Sequence, residues 1–113
     1  MSSPTPVTTQ DVSHYWEETP LFSMGIEEDY GEERFFQEME KIKLEDHELY
    51  TLDYWGFEQW AKKKVLDIGC GPGWFTKMYA QGGAQVTGMD ITAKATQTAK
   101  RYLKLRELNS GNI

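Results

Sequence analysis

The stretch Val65–Gly73, VLDIGCGPG, puts three glycines into five positions directly after a short apolar run. An apolar run ending in glycine reads as a buried parallel strand, and the bare loop behind it must turn into something else at once. The next ten residues are WFTKMYAQGG, with Phe75, Met78 and Tyr79 at helical spacing and Gly82-Gly83 as a stop. AQVTGMD is a second strand-like run. Thr92 is placed to cap a last helix, ITAKATQTAKRYLKLREL, in which Thr96, Ala99 and Leu103 share a face. Strand, helix, strand and helix in this order make a βαβ unit with one helix added, closed by the turn residues Asn109-Ser110-Gly111. The spacing thus predicts an α/β fold for the second half of the chain.

The first half has another texture. Met1 to Gln10, with two prolines and several Ser and Thr, reads as part of a flexible arm over residues 1–12. In SHYWEETP, Ser13 is placed to cap a short turn that Pro20 ends. EERFFQEMEKIK comes after Gly31, with Phe35, Met39 and Ile42 at i, i+4 and i+7. Glu32 and Glu33 stand at its front and Lys41 and Lys43 at its back, which complements a helix dipole and predicts an amphipathic helix of about three turns. His47 to Trp60 is rich in aromatic residues and reads as helix despite mixed periodicity. The expected division is an arm over 1–12, a helical segment over 13–61 and the α/β part over 62–113.

Composition bounds the classes. At 113 residues, 39% hydrophobic and 13% aromatic, the chain suits one globular domain with a modest core. Its apolar runs are too short for a membrane span, and Met1 to Gln10 lacks the layout of a secretion signal. A single cysteine forms no internal disulfide, so a cytoplasmic setting is the expectation. Residues 1–50 carry 13 acids against Arg34, Lys41 and Lys43, a net of −10, whereas residues 51–113 carry a net of +4. An acidic first half argues against nucleic acid as a partner. The ordinary reading of the two halves is a pair of solvated faces; the sharper one docks the acidic half on the basic half.

In a βαβ unit, ligands gather beyond the carboxyl ends of the strands. Gly69, Gly71 and Gly73 stand there, permitting close approach by a ligand, and the helix start behind them offers N–H groups to an anionic group. Asp90 ends the second strand, where a carboxylate can accept hydrogen bonds from both hydroxyls of a ribose. Loop plus acid read as a nucleoside-cofactor site. The dinucleotide fingerprint is G-x-G-x-x-G, but here the spacing is G-x-G-x-G and Trp74 occupies the expected place of the third glycine. An indole at the helix start would crowd a pyrophosphate, which favours a ligand with a small carboxylate and ammonium instead.

With these motifs, VLDIGCGPGWF followed by GAQVTGMDIT, the sequence resembles class I S-adenosylmethionine-dependent methyltransferases over motifs I and II. The resemblance is close over Val65 to Thr92 and covers about the second half of the chain. It implies a Rossmann-like, seven-stranded sheet in the order 3-2-1-4-5-7-6, of which this chain supplies strands 1 and 2. It also implies S-adenosylmethionine as cofactor and a small-molecule methyl acceptor. Gly69, Gly71 and Gly73, with Cys70 among them, would line the methionine part, and Asp67 would orient its ammonium. Asp90 would hold the ribose hydroxyls and Ile91 would press on the adenine. Tyr15 and Trp16 belong to the segment that in such enzymes often folds over the cofactor as a lid.

Each of these residues has a plainer role beside it. Asp67 and Asp90 can serve loop N–H groups, and Tyr15 and Trp16 can be ordinary packing. Cys70 has no His or Lys beside it in sequence and reads as a small side chain under the loop rather than a nucleophile. His14 and His47 are isolated, which argues against a metal site. The favoured reading is the amino-terminal part of a methyltransferase. The alternatives are a non-catalytic binding protein and a Rossmann module for another nucleotide such as NAD.

Overall fold

The computed structural model describes residues 5–20, 29–45 and 54–113. Its elements are α1 (Thr9–Glu18), α2 (Glu33–Glu45), a 3₁₀ turn (Phe57–Trp60), β1 (Lys64–Ile68), α3 (Trp74–Gln81), β2 (Gln85–Met89) and α4 (Ala93–Leu105). β1 and β2 pair in parallel, with Lys64 opposite Gln85 and Asp67 opposite Gly88. The predicted βαβ unit and its added helix are therefore present, and the mixed architecture is that of an incomplete Rossmann-like fold. Gly88 N–H also donates to the Asn112 carbonyl at 3.2 Å, so the chain returns along the free edge of β2. That is the side on which a third strand stands in the order 3-2-1.

Strand alternation decides which sheet face is covered. Val86 and Gly88 are buried and Val65 and Asp67 half-buried, whereas Leu66, Ile68 and Met89 point the other way and are exposed. β1 is thus covered on one face only among the described residues, where its apolar run suggested burial on both. The core lies on the covered side, where Phe35, Phe36 and Met39 of α2 meet Trp74 of α3 and Tyr102 of α4. Phe36 stacks on Tyr102 with ring centroids 4.4 Å apart, and Phe35 meets Phe36 edge-on at 5.5 Å. Phe36, absent from the predicted stripe of Phe35, Met39 and Ile42, is fully buried because α2 packs on two helices at once and so buries a wider arc.

Charge joins the two halves. Arg106, the C-cap of α4, donates to Glu40 at 2.6 Å and to Glu33 at 2.8 Å, and Tyr102 Oη donates to Glu40 at 2.8 Å. Lys77 of α3, itself almost completely buried, stands 3.2 Å from Glu40 and 5.0 Å from the centre of the Trp74 ring. Arg101 bonds Glu32 at 3.2 Å. The acidic helix therefore docks on the basic half, and the sharper reading of the charge asymmetry is the one observed for α2. Burial disfavours ionised Glu40, but the hydrogen bonds from Arg106 and Tyr102 and the charge of Lys77 outweigh it. Its carboxyl is held below the usual range.

Two boundaries differ from the expectation. The first helix begins at Thr9, inside the expected arm, because Thr8 and Asp11 form a capping box with bonds of 2.8 and 3.1 Å. Ser13 is consequently a helical residue and not a cap. At the other boundary, Phe57–Trp60 is a 3₁₀ turn entered through left-handed Gly56, not a continuous helix. His47 to Asp53, with Tyr50, lies outside the described residues, as do Glu27 and Glu28.

Candidate functional site

A cleft of about 540 Å³ opens at the carboxyl ends of β1 and β2. One wall is Ile68, Gly69 and Gly71 from the end of β1, with Met89 to Thr92 from the end of β2 and Ala95 of α4. The facing wall is Val12 and Trp16 of α1 with Pro20 and Tyr30. The loop can be this bare because it runs through left-handed turns at Gly69, φ 72°, and Gly71, φ 54°. A methyl group added at Gly69 would meet nothing within 4 Å, so this backbone stands open to a ligand.

Asp90 holds the centre of the wall. Its Oδ2 accepts from the Gly71 N–H at 3.0 Å, and its Oδ1 accepts from the Thr92 N–H at 3.1 Å and, more weakly, from the Thr92 hydroxyl at 3.4 Å. Thr92 in turn caps α4 by accepting from the Ala95 N–H at 3.1 Å. The carboxylate thus ties the glycine loop to the start of α4. A carboxylate offers about four acceptor positions, so two strong bonds leave capacity on the cleft side. These bonds are the turn-capping reading of Asp90, and the same residue lines the cleft.

Asp67 and Cys70 face elsewhere. The Asp67 carboxylate accepts from the Thr76 hydroxyl of α3 at 2.5 Å. Burial raises its pKa against the pull of Thr76, with the nearby charge of Asp90 adding to the rise. Neither Asp67 nor Cys70 lines the cleft. Cys70 is buried against Gly88, and burial, aided by Asp67 and Asp90, pushes its thiol up to about 12. That is the inert small side chain under the loop, not a nucleophile.

Gly73 and Trp74 are buried away from the cleft. Gly73, expected to line the methionine part, is buried at the start of α3 with φ 99°. A methyl group there would lie 3.0 Å from Cβ of Ala99, so this glycine lets α3 and α4 approach. Trp74, expected to crowd a pyrophosphate from the helix start, is only 4% exposed and turns into the core beside Phe36 and Tyr102. The indole therefore does not line the cleft.

Of the two lid candidates, Trp16 lines the cleft and Tyr15 does not. Tyr15 meets Trp16 edge-on at 5.0 Å and is itself largely exposed. Ser13 Oγ donates to the Ile91 carbonyl at 3.3 Å, which moors α1 to the loop after β2. Ile91 is half-exposed and lines the cleft. Sequence reasoning missed Ile68, Met89 and Thr92, although each adjoins the end of a strand, where ligands of such folds gather. Val12, Pro20, Tyr30 and Ala95 carried no such local signal. Among the described residues, no group of three or more His, Cys, Asp or Glu is gathered to hold a metal. No described helix is long and apolar enough to cross a membrane.

Residues 65–112 match a family described as a methyltransferase domain. A stretch of 52 residues of this chain is 50% identical to a ubiquinone biosynthesis O-methyltransferase of Nitrosospira multiformis. That match takes in 46% of this chain and 20% of the relative. Proteins of the same description from Azoarcus sp., at 49% over 43 residues, and Nitrosomonas europaea, at 44% over 52, cover 38% and 46% of this chain. They are covered over 18% and 20% of their own lengths. Residues 65–112 are thus similar to a methyltransferase domain.

The chain spans about a fifth of the length of the curated relatives it matches. The shared methyltransferase segment contains β1, the glycine loop, α3, β2 and α4. It leaves out α1, α2 and Tyr30, so the facing wall of the cleft comes from outside the matched region.

Proposed function

We propose that this chain supplies the S-adenosylmethionine-binding half of a methyltransferase that acts on a small-molecule acceptor. The observation that carries the reading is Asp90, a carboxylate at the end of β2 facing a cleft whose neighbouring loop is open backbone at Gly69 and is tied to Asp90 at Gly71. The residues fit a nucleoside cofactor. Asp90 would accept from its ribose hydroxyls, Ile91 and Ala95 give apolar surface for a base, and Gly69 permits close backbone approach. Bound S-adenosylmethionine would supply a methyl group on a sulfonium, a leaving group that needs no activation by the protein.

What the chain's own residues contribute is alignment and exclusion of water. Asp90 keeps loop and α4 in one arrangement through Gly71 and Thr92. Trp16 and Val12 of α1 cover the open side as a lid, and the Ser13 bond to Ile91 holds that lid in place. The relatives are named for O-methylation in ubiquinone biosynthesis, and the matched segment carries the loop and Asp90 that this reading assigns to the cofactor. The likeness therefore bears on the methyl donor more than on the acceptor.

Titration calorimetry with S-adenosylhomocysteine tests the reading. Asp90→Ala is expected to weaken binding by at least about 1–3 kcal/mol, the cost of losing charge-assisted hydrogen bonds. Equal affinity in the variant would remove Asp90 from the ribose site.

A further inference from the structure

The wall of the cleft that lies outside the matched segment is held by a side chain far from the glycine loop. Tyr30 occupies the turn Asp29–Glu32 just before α2 and lines the cleft with its half-buried ring. The ring is fixed on one side by Phe35, edge-on at 4.7 Å, and lies under the ammonium of Lys94, 5.7 Å from the ring centre. What fixes the backbone of this turn is Arg101. Its Nε donates to the Gly31 carbonyl at 2.7 Å, and its Nη2 reaches Glu32 at 3.2 Å. The Glu32 pair is exposed on both sides and contributes little. The bond to Gly31 differs, because Gly31 is buried and a charged donor meets a backbone acceptor at short range. Gly31 has φ 89°, a conformation that lets the chain double back so that Tyr30 faces the cleft while Glu32 starts toward α2.

We propose that Arg101 is a positioning residue for the cofactor cleft, acting through the Gly31 carbonyl to set Tyr30 as its wall. The inference rests on the proposed cofactor reading and deepens it. Arg101 stands two turns along α4 from Ala95, which lines the cleft, and has no place in the cleft itself. The Tyr30 hydroxyl stays protonated throughout the neutral range: burial raises it to about 12 against the hydrogen bond with Thr98, and Asp90 adds to the rise. It is therefore a neutral group that presents its ring, not a charge, beside Asp90. Arg101 is an α4 residue within the methyltransferase segment, whereas Tyr30 lies before it, so one side chain ties the fold's cofactor half to the segment that covers it.

The test is a double-mutant cycle on the full 113-residue chain with two independent readouts. By hydrogen exchange, Arg101→Gln is expected to deprotect residues 29–32 while α4 stays protected, and Arg101→Lys to restore part of that protection. By calorimetry with S-adenosylhomocysteine, Arg101→Gln is expected to weaken binding about three- to tenfold, the scale of one lost charge-assisted bond. In a Tyr30→Ala background, the same substitution is expected to have no further effect on affinity. Unchanged exchange at 29–32 overturns the proposal whatever the ligand. Deprotection with unchanged affinity overturns the link to the cleft, as does a full additional loss in the Tyr30→Ala background. Failure of the unmodified chain to bind S-adenosylhomocysteine would overturn the cofactor reading itself, and with it the role of Arg101 in that cleft.

Discussion

Three glycines of one loop do different work, and only their surroundings tell them apart. Gly69 leaves backbone open toward the cleft, Gly71 gives its N–H to Asp90, and Gly73 is closed against Ala99. Gly73→Ala would combine a left-handed φ with a contact of 3.0 Å to Cβ of Ala99, so it is expected to destabilise the fold by about 1–3 kcal/mol. Chemical denaturation measures that cost; a variant as stable as the parent would contradict the packing role. The motif announced that the loop must be bare, and Asp90 was legible as its acidic partner. The direction of each side chain was not. Trp74 stands beside the loop in sequence, but helix geometry swings it into the core, and no local pattern contains that information.

Helices α1 and α2 attach to the α/β unit by opposite means. α2 buries Phe35, Phe36 and Met39 and lays Glu40 between Arg106, Lys77 and Tyr102, while no residue of α1 is buried. The folded-state pKa of Glu40 is depressed, so its stabilising contribution is complete above the ordinary value of 4.5 and is lost as pH falls through the lower folded value. Glu40→Gln is accordingly expected to cost about 1–3 kcal/mol at neutral pH and to flatten the loss of stability below pH 4.5. Denaturation curves over acid and neutral pH show both effects, and parallel pH profiles for the two proteins would refute the network. For α1 the expectation differs. Trp16→Ala should leave stability nearly unchanged but weaken S-adenosylhomocysteine binding by about 1 kcal/mol, as for other aromatic contacts. Calorimetry that finds equal affinity would reduce α1 to a surface helix. The amphipathic pattern revealed α2, but the capping box of Thr8 and Asp11 was hidden in a stretch whose prolines and hydroxyl residues suggested an arm.

At the scale of the whole chain, two strands carry a cleft with one wall from the methyltransferase segment and another from the residues before it. The order strand, helix, strand, helix was legible because its periodicities change sharply at glycines. The facing wall was not, because Val12, Trp16 and Tyr30 come together only through tertiary contacts. The exposed Leu66, Ile68 and Met89 show the same limit: an apolar run specifies a strand without saying which of its faces will be covered. With Trp74 turned inward, the loop alone does not choose between a dinucleotide and S-adenosylmethionine. The most direct test is therefore a paired calorimetric titration of the chain with S-adenosylhomocysteine and with NAD. Saturable one-to-one binding of S-adenosylhomocysteine, with no heat of binding for NAD, is the predicted result; binding of NAD alone would contradict the account.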